Sequence, residues 1–389
     1  MKLPGPDRCC GCSACASVCK VGAITMLVDD EGFLQPNIDR GKCVMCKRCE
    51  QVCPVINTHN TAQPHCYIAK SVHEDILESS TSGGVFSELA IPILKAGGCV
   101  VGCVMDVPQK KAMHMLVEDE KALSQMRGSK YIQSELGDVF ALAKQQLEQG
   151  RKLLFSGTPC QIDGFKRYLG HESENLLCVE VACHGVGSTK IFQQFLEELE
   201  KGHSAKVTDV RFRDKQSSAS GGSCFTLTFE GGVNNRFVAG SYDNAYGKAF
   251  MDRLCLRRAC DYCPSKAGCS GADITIGDYW GGRQFHPNFE QDKGASVVVV
   301  WTSKGGCAFG ECGVIAEESR WEWATKFNPS LFQSGASDVK KRHSFFKISR
   351  IEGVSHAVEV LCRKSMQQRL MASIIKLLYK FKSLLLAGD

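Results

Sequence analysis

The sequence predicts an α/β body preceded by a small α+β cysteine-rich module and followed by a helical tail. Three observations carry this. Nine cysteines fall within the first 54 residues, eight of them in a spacing that occurs twice. From residue 66 onward, short β-rich runs alternate with segments of helical periodicity. The stretch KSMQQRLMASIIKLLYKFKSLLLAGD closes the chain as a basic amphipathic helix, with Leu370, Ile374, Leu377, Leu378 and Phe381 on one face.

A chain of 389 residues with 43% apolar content is long enough for two or three packed domains. The expected divisions are a module at 1–58, two parts of the body at 59–150 and 151–345, and the tail at 346–389, with the polar stretch INTHNTAQPH between module and body. A net charge of +5, from 47 basic and 42 acidic residues, is spread along the chain without basic-aromatic interleaving, so nucleic-acid binding is not expected. MKLPGPDRCC lacks the apolar run of a secretory signal, and no apolar run approaches the roughly 18 residues of a membrane span. The 23 cysteines therefore read as thiolate ligands in a reducing compartment, and the expected location is cytoplasmic.

The first module uses one pattern twice. CCGCSACASVC sets Cys9, Cys12, Cys15 and Cys19 at C-x2-C-x2-C-x3-C, and CVMCKRCEQVCP repeats this with Cys43, Cys46, Cys49 and Cys53 before Pro54. Three thiolates so spaced wrap one [4Fe-4S] cube, and the fourth reaches across to the other cube. The expected ligand sets are Cys9, Cys12, Cys15 with Cys53, and Cys43, Cys46, Cys49 with Cys19. Paired zinc knuckles would have no use for the repeated ending. Lys20 stands where the first motif would carry proline, which affects the turn more than the ligands, and Cys10 is an off-pattern, unligated thiol. Residues 1–58 resemble a bacterial-type two-cluster ferredoxin.

In the body, CYIAKSV and CVVGCVMD read as strands around the helix GVFSELAIPILKAGG, which Gly97 and Gly98 close. Cys99 and Cys103 in the second strand read as buried structural thiols. LGDVFALAKQQLEQG and KIFQQFLEELEKG read as helices, KLLFS and NLLCVEV as strands. No G-x-G-x-x-G follows a strand and no P-loop occurs, so nucleotide phosphates would have to be held at other helix N-termini.

SSTSGGVF leads through Gly83 and Gly84 into a helix, as either a pyrophosphate cradle or an ordinary cap. LLFSGTPCQI places Thr158 as N-cap, Pro159 at the first helical position and Gln161 to complete a capping box. Cys160 then lies in the first turn, where the helix dipole lowers a thiol's pKa. RGSKYIQS, with Arg127, Ser129 and Lys130, is either an anion-binding or a solvated loop. ACHGVGS adds Cys183 and His184 directly after a strand, where α/β domains place site residues. Cys160 and His184 are the candidate reactive side chains, although the pattern demands no strong acid or base.

Taken in order, SSTSGGVFSELA, RGSKYIQS, FSGTPCQIDGFKRYL, VACHGVGSTKIFQQFL, LCLRRACDYC and ADITIGDYWG resemble the family of flavin-binding beta subunits of coenzyme F420-reducing hydrogenases and dehydrogenases, over residues 66–305. That family also includes plant 7-hydroxymethyl chlorophyll a reductase. The resemblance implies an α/β flavin-binding domain, FAD, iron-sulfur centres and hydride exchange with a soluble carrier such as coenzyme F420. It implies FAD contacts at Ser82, Gly83 and Gly84, at Arg127, Ser129 and Lys130, and at Thr158, Pro159 and Gln161, with Asp278 of GDYW nearby.

LCLRRACDYCPSKAGC holds a further set. Cys255, Cys260 and Cys263 stand at C-x4-C-x2-C, an arc that resembles the family's cluster motif and suits a third [4Fe-4S] cluster. Its fourth ligand is Cys269, nearest in sequence, or Cys160 or Cys183 from the body; a zinc knuckle would use all four local cysteines. A flavin beside such clusters joins two-electron to one-electron chemistry. Either reduced coenzyme F420 feeds the clusters, or they are fed by a ferredoxin or partner subunit and the flavin reduces an organic substrate. The competing reading is an electron-transfer subunit of a larger complex, without a substrate of its own. The tail is expected to dock on the body or a partner subunit, with peripheral membrane contact as the alternative.

Overall fold

The computed structural model describes residues 2–57, 63–217 and 223–362. In the first module, β1 (Ile24–Val28) and β2 (Leu34–Ile38) form an antiparallel hairpin, and one-turn helices at Ala14–Ser17 and Arg48–Gln51 occupy equivalent places in the two halves of the cysteine repeat.

The body is organised by one nine-stranded mixed sheet. Its strands are β3 (His65–Ser71), β4 (Cys99–Asp106), β5 (Lys111–Val117), β6 (Ser134–Glu135), β7 (Leu153–Gly157), β8 (Leu176–Val181), and, after an excursion, β12 (Ile274–Asp278), β13 (Ser296–Val300) and β14 (Val314–Ser319). The excursion is a separate antiparallel sheet of β9 (Val207–Asp214), β10 (Cys224–Phe229) and β11 (Arg236–Gly240). The large sheet runs β14-β3-β13-β12-β8-β7-β4-β5-β6, and its centre, β12-β8-β7-β4, is parallel. LLFSG of β7 and SVVVV of β13 are buried throughout, as continuous apolar strands covered on both faces should be.

The helix Pro159–Leu169 crosses from β7 to β8 and stacks Phe165 on Phe155 with ring centroids 4.1 Å apart. The helix Thr189–His203 buries Ile191, Phe192, Phe195 and Leu196 in a second core with Phe212, Phe225 and Phe229. The helices Val339–Glu352 and Val354–Leu361 close that core with Phe345, Val354 and Ala357, and the first runs across the boundary expected at 345. The amphipathic stretch from 364 lies outside the described residues. Among the described residues no helix is long and apolar enough to cross a membrane.

The module is seated on the body by buried groups. Phe33 belongs to the second core. Arg257, 1% exposed, donates from Nε to the Cys9 carbonyl at 2.6 Å, from Nη2 to the Leu34 carbonyl at 2.8 Å and from Nη1 to Gln133 Oε1 at 3.1 Å. Gly11, at φ +70°, fits so closely here that a Cβ would meet Gln133 Nε2 at 2.4 Å. Arg342 pairs with Glu31 at 2.9 Å, and Arg167 donates to the Asn57 carbonyl at 2.8 Å.

One interior carboxyl makes stability depend on pH. Glu180 of β8 takes hydrogen bonds from Ser270 and, at 2.6 Å, from Thr275, but burial outweighs them and pushes its pKa from 4.5 to about 7. Because the folded chain holds this proton more tightly than the unfolded chain, stability falls as pH rises from 4.5 to about 7 and is level above that. Glu180→Gln is expected to raise the melting temperature at pH 8, by the equivalent of up to about 3 kcal/mol, and to leave it unchanged near pH 4. Thermal scans across that range would disprove this if the gain were the same at both ends.

Candidate functional site

The C-terminal ends of β7, β8 and β12 open onto a cavity of about 590 Å³, the crevice where open α/β sheets place ligands. All three motifs reach it. From SSTSGG, Ser82 and Gly84 line the wall, with Ser82 Oγ donating to the Ala295 carbonyl at 2.8 Å and Gly84 as a left-handed N-cap of the helix Val85–Lys95. Gly83 lies behind the wall, where a Cβ would meet the Ala69 carbonyl at 2.4 Å; its absence lets the loop lie flat on the sheet.

From RGSKY, Arg127, Ser129 and Lys130 line the adjoining wall. The Ser129 amide donates to Thr81 Oγ1 at 3.0 Å and ties the two motifs together, while Arg127 donates to Ser87 and Ser79. Lys130 is fully committed: its ammonium donates to the carbonyls of Gln125, Met126 and Arg127, and burial lowers its pKa to about 8. From GTPCQ, Thr158 and Gln161 line the floor and Pro159 is buried beneath it. The expected capping box is present: Gln161 Oε1 accepts from the Thr158 amide at 3.0 Å, and Gln161 Nε2 donates to Ser134 at 2.9 Å. Asp278 lines the rim, ion-paired with Arg213, whose guanidinium lies 5.6 Å from the centre of the Trp280 ring.

His114 of β5 is a lining residue that no motif announced. The only available signal was the alternation in KAMHMLV, which buries Ala112 and His114 on one face. Its Nε2 lies 3.1 Å from the Ser156 carbonyl, so Nε2 carries the hydrogen, and burial lowers its pKa to about 4. Nδ1 is therefore a bare acceptor, buried and without a partner among the described residues. A buried acceptor at a cavity wall calls for a donor on the ligand. The imide N–H and ribityl hydroxyls of a flavin are such donors, and on this count the residues fit FAD.

The thiols fall into three groups. Cys9, Cys12, Cys15 and Cys53, the first expected set, line one small cavity together, and Cys15 lies within electrostatic reach of both Cys9 and Cys53. In the second set Cys46 lies within reach of Cys49, and Cys19 Sγ accepts from the Ala23 amide at 3.3 Å. The third group corrects the local reading of LCLRRACDYCPSKAGC. Cys260 and Cys263 come together with Cys160 and Cys183, each in reach of the others. Cys255 is instead sealed in the second core beside Tyr246, its carbonyl accepting from the Ser188 amide at 2.9 Å at the start of the helix Thr189–His203. Cys269 faces the carboxylates of Asp163 and Glu180 rather than thiols. A zinc knuckle would gather all four local cysteines, whereas Cys255 and Cys269 lie apart from Cys260 and Cys263.

Cys10, off the pattern, joins two of these groups: its thiol contacts both Cys12 and Cys160. The helix dipole does not lower Cys160 as expected. Contact with Cys10 and burial push it well above its ordinary value. Cys183 and Cys263 are likewise raised, chiefly by burial. Thiols that resist ionising alone but share one enclosed space are suited to ionise against bound iron, which supplies the opposite charge. Cys183 and His184 also line the large cavity, so thiol group and cavity share a wall. Burial lowers His184 to about 4, leaving a neutral ring against Phe250. Of the two expected structural thiols, Cys99 is buried and Cys103 is a half-buried lining residue.

Residues 66–141 match the N-terminal part, and residues 150–317 the C-terminal part, of the family described as coenzyme F420 hydrogenase/dehydrogenase, beta subunit. Together these matches cover more than half of the chain. The chain belongs to this family. Residues 8–57 match the 4Fe-4S dicluster domain, so this family member carries an iron-sulfur module in front. It is 24% identical over 210 residues to a subunit of the F(420)H(2) dehydrogenase of Methanosarcina mazei, covering 49% of this chain and 59% of that relative's length. Among solved structures, a chain of the xenon-derivatised F420-reducing [NiFe] hydrogenase complex from Methanosarcina barkeri aligns at 16% identity and a TM-score of 0.43, over 78% of this chain and 92% of that one.

Proposed function

We propose that the chain is an FAD- and iron-sulfur-dependent oxidoreductase subunit. It exchanges hydride with coenzyme F420 or another soluble carrier at the large cavity, and single electrons through three thiolate-held [4Fe-4S] centres. The observation that carries this reading is the shared wall: Cys183 belongs both to the cavity lining and to the four-thiol group, and Cys10 links that group to the module. Ser82, Gly84, Arg127, Ser129, Thr158 and Gln161 would hold FAD, with Gly83 and Pro159 shaping the loops behind them. Cys160, Cys183, Cys260 and Cys263 would hold the third centre. Bound FAD supplies the junction between two-electron and one-electron chemistry.

The side chains themselves perform placement rather than acid-base work. His114 offers a fixed acceptor, the neutral His184 ring closes the wall beside Cys183, and Lys130 holds the RGSKY turn in shape. The Methanosarcina mazei relative is named as a dehydrogenase subunit, which supports a place beside other redox subunits.

Titration of the purified chain with FAD, followed by quenching of flavin fluorescence, tests the reading. Saturable one-to-one binding is expected, and His114→Phe is expected to weaken it about tenfold by leaving a flavin donor without an acceptor. Absence of flavin binding by an iron-replete chain would leave only the electron-transfer subunit.

A further inference from the structure

The internal repeat gives each position of the first cysteine loop a counterpart in the second. Cys9, Cys12 and Cys15 correspond to Cys43, Cys46 and Cys49, and the left-handed residues Gly11 and Ser13 correspond to Met45 and Lys47, at φ +53° and +62°. The first half's face, Cys10-Gly11-Cys12, is occupied: Gly11 is seated on Gln133 and Arg257, and Cys10 touches Cys160. The equivalent face of the second half, Val44-Met45-Cys46, is open, with Val44 65% and Met45 72% exposed and Cys46 at the surface. Met45 holds a left-handed backbone that Gly11 adopts freely, which keeps a large apolar side chain outermost.

The rim of this open face is cationic. Lys42, Lys47 and Arg48 flank it in sequence, and all are exposed. Arg40 and Lys20 adjoin, because the Asp39 amide donates to the Ala23 carbonyl at 2.8 Å and brings the two segments side by side. Lys42 has a loose ion pair with Asp39 at 3.8 Å; Lys20, Arg40, Lys47 and Arg48 have none among the described residues.

We infer that Val44, Met45 and Cys46, within this basic rim, form the docking face for a small acidic one-electron carrier protein. An apolar centre over a ligand cysteine with a charged rim is the anatomy of a transient interface, and the rim sets encounter rate and partner choice. The inference rests on the iron-sulfur part of the proposed function. One electron crosses per encounter: the carrier loses the electron gained by the centre that Cys43, Cys46, Cys49 and Cys19 hold, or the reverse, with no proton or covalent bond moving. The corresponding face of the first half then forms the inward exit, through Cys10 toward Cys160.

Binding of an oxidised, acidic plant-type [2Fe-2S] ferredoxin to the iron-replete full chain, measured by isothermal titration at two ionic strengths, provides the test. Affinity is expected to fall with salt, and to fall about tenfold or more in a chain carrying Lys42→Glu, Lys47→Glu and Arg48→Glu, with iron content and cluster spectrum unchanged. If that chain loses iron, Lys20→Glu with Arg40→Glu, outside the ligand loop, is expected to weaken binding in the same direction. A basic cytochrome c is expected not to bind. The inference is overturned if the iron-replete wild-type chain binds no acidic ferredoxin, if its charge-reversed variants bind it unchanged, or if the cytochrome binds as well. Lack of flavin in the same preparation would count against the hydride chemistry alone.

Discussion

Cys160→Ser is expected to lower bound iron from about 12 to about 8 atoms per chain, whereas Cys255→Ser and Cys269→Ser retain about 12. Cys160 stands at the first turn of the helix Pro159–Leu169, in reach of Cys183, Cys260 and Cys263. Cys10 contacts Cys160 but is engaged with Cys12 on its other side. Cys183→Ser is expected to match Cys160→Ser, and in both the signals of the two module clusters persist in the low-temperature electron paramagnetic resonance spectrum. Cys255→Ser removes a core thiol beside Tyr246 and changes packing without changing iron. If Cys269→Ser lost four irons and Cys160→Ser none, the local four-cysteine motif would be restored as the ligand set.

Arg257→Met is expected to destabilise the seating of the module by about 3 to 5 kcal/mol. The guanidinium makes three hydrogen bonds in an enclosed interface, all to neutral acceptors. Gln133 Oε1 keeps a donor in the Leu34 amide, but the part-buried carbonyls of Cys9 and Leu34 lose the donor that Arg257 supplies. Methionine recovers some packing against Phe33, over which the guanidinium lies, but no donor. Arg257→Lys, with a charge but no fork, is expected to fall between the two. Hydrogen exchange measured by mass spectrometry would show faster exchange in residues 2–57 while the nine-stranded sheet stays protected. Equal protection of the module in Arg257→Met and wild type would mean that Arg342 and Arg167 suffice to hold it.

What sequence could predict depended on how local the determinant was. The strands that became β3, β4, β7 and β8 and the Thr158–Gln161 capping box are each set within a dozen residues, and each is present. The third thiol group is not local. It forms because the ends of β7 and β8 are neighbours in the parallel sheet and the 258–263 turn folds over them, a relation that the spacing of Cys255, Cys260 and Cys263 does not encode. The raised pKa of Cys160 has the same origin: the helix start was legible, but the burial and the Cys10 contact that outweigh its dipole were not. The three motifs were expected at FAD, and they do converge on one cavity, yet Lys130 directs its charge to its own turn and Asp278 pairs with Arg213. A lone histidine in an apolar strand carried no signal beyond its alternation.

The hold of Arg257 on the Cys9 carbonyl also bears on how the molecule is made. The loop from Cys9 to Cys15 that wraps the first ligand set is the loop whose backbone Arg257 and Gln133 grip, so its shape serves iron capture and domain docking together. By linkage, delivery of iron strengthens the docking, and docking prepares the loop for iron. In a chain short of iron, docking alone has to order that loop. Loading of the first set is thereby expected to be felt at a distance, as tighter seating of the whole module on Arg257 and Gln133.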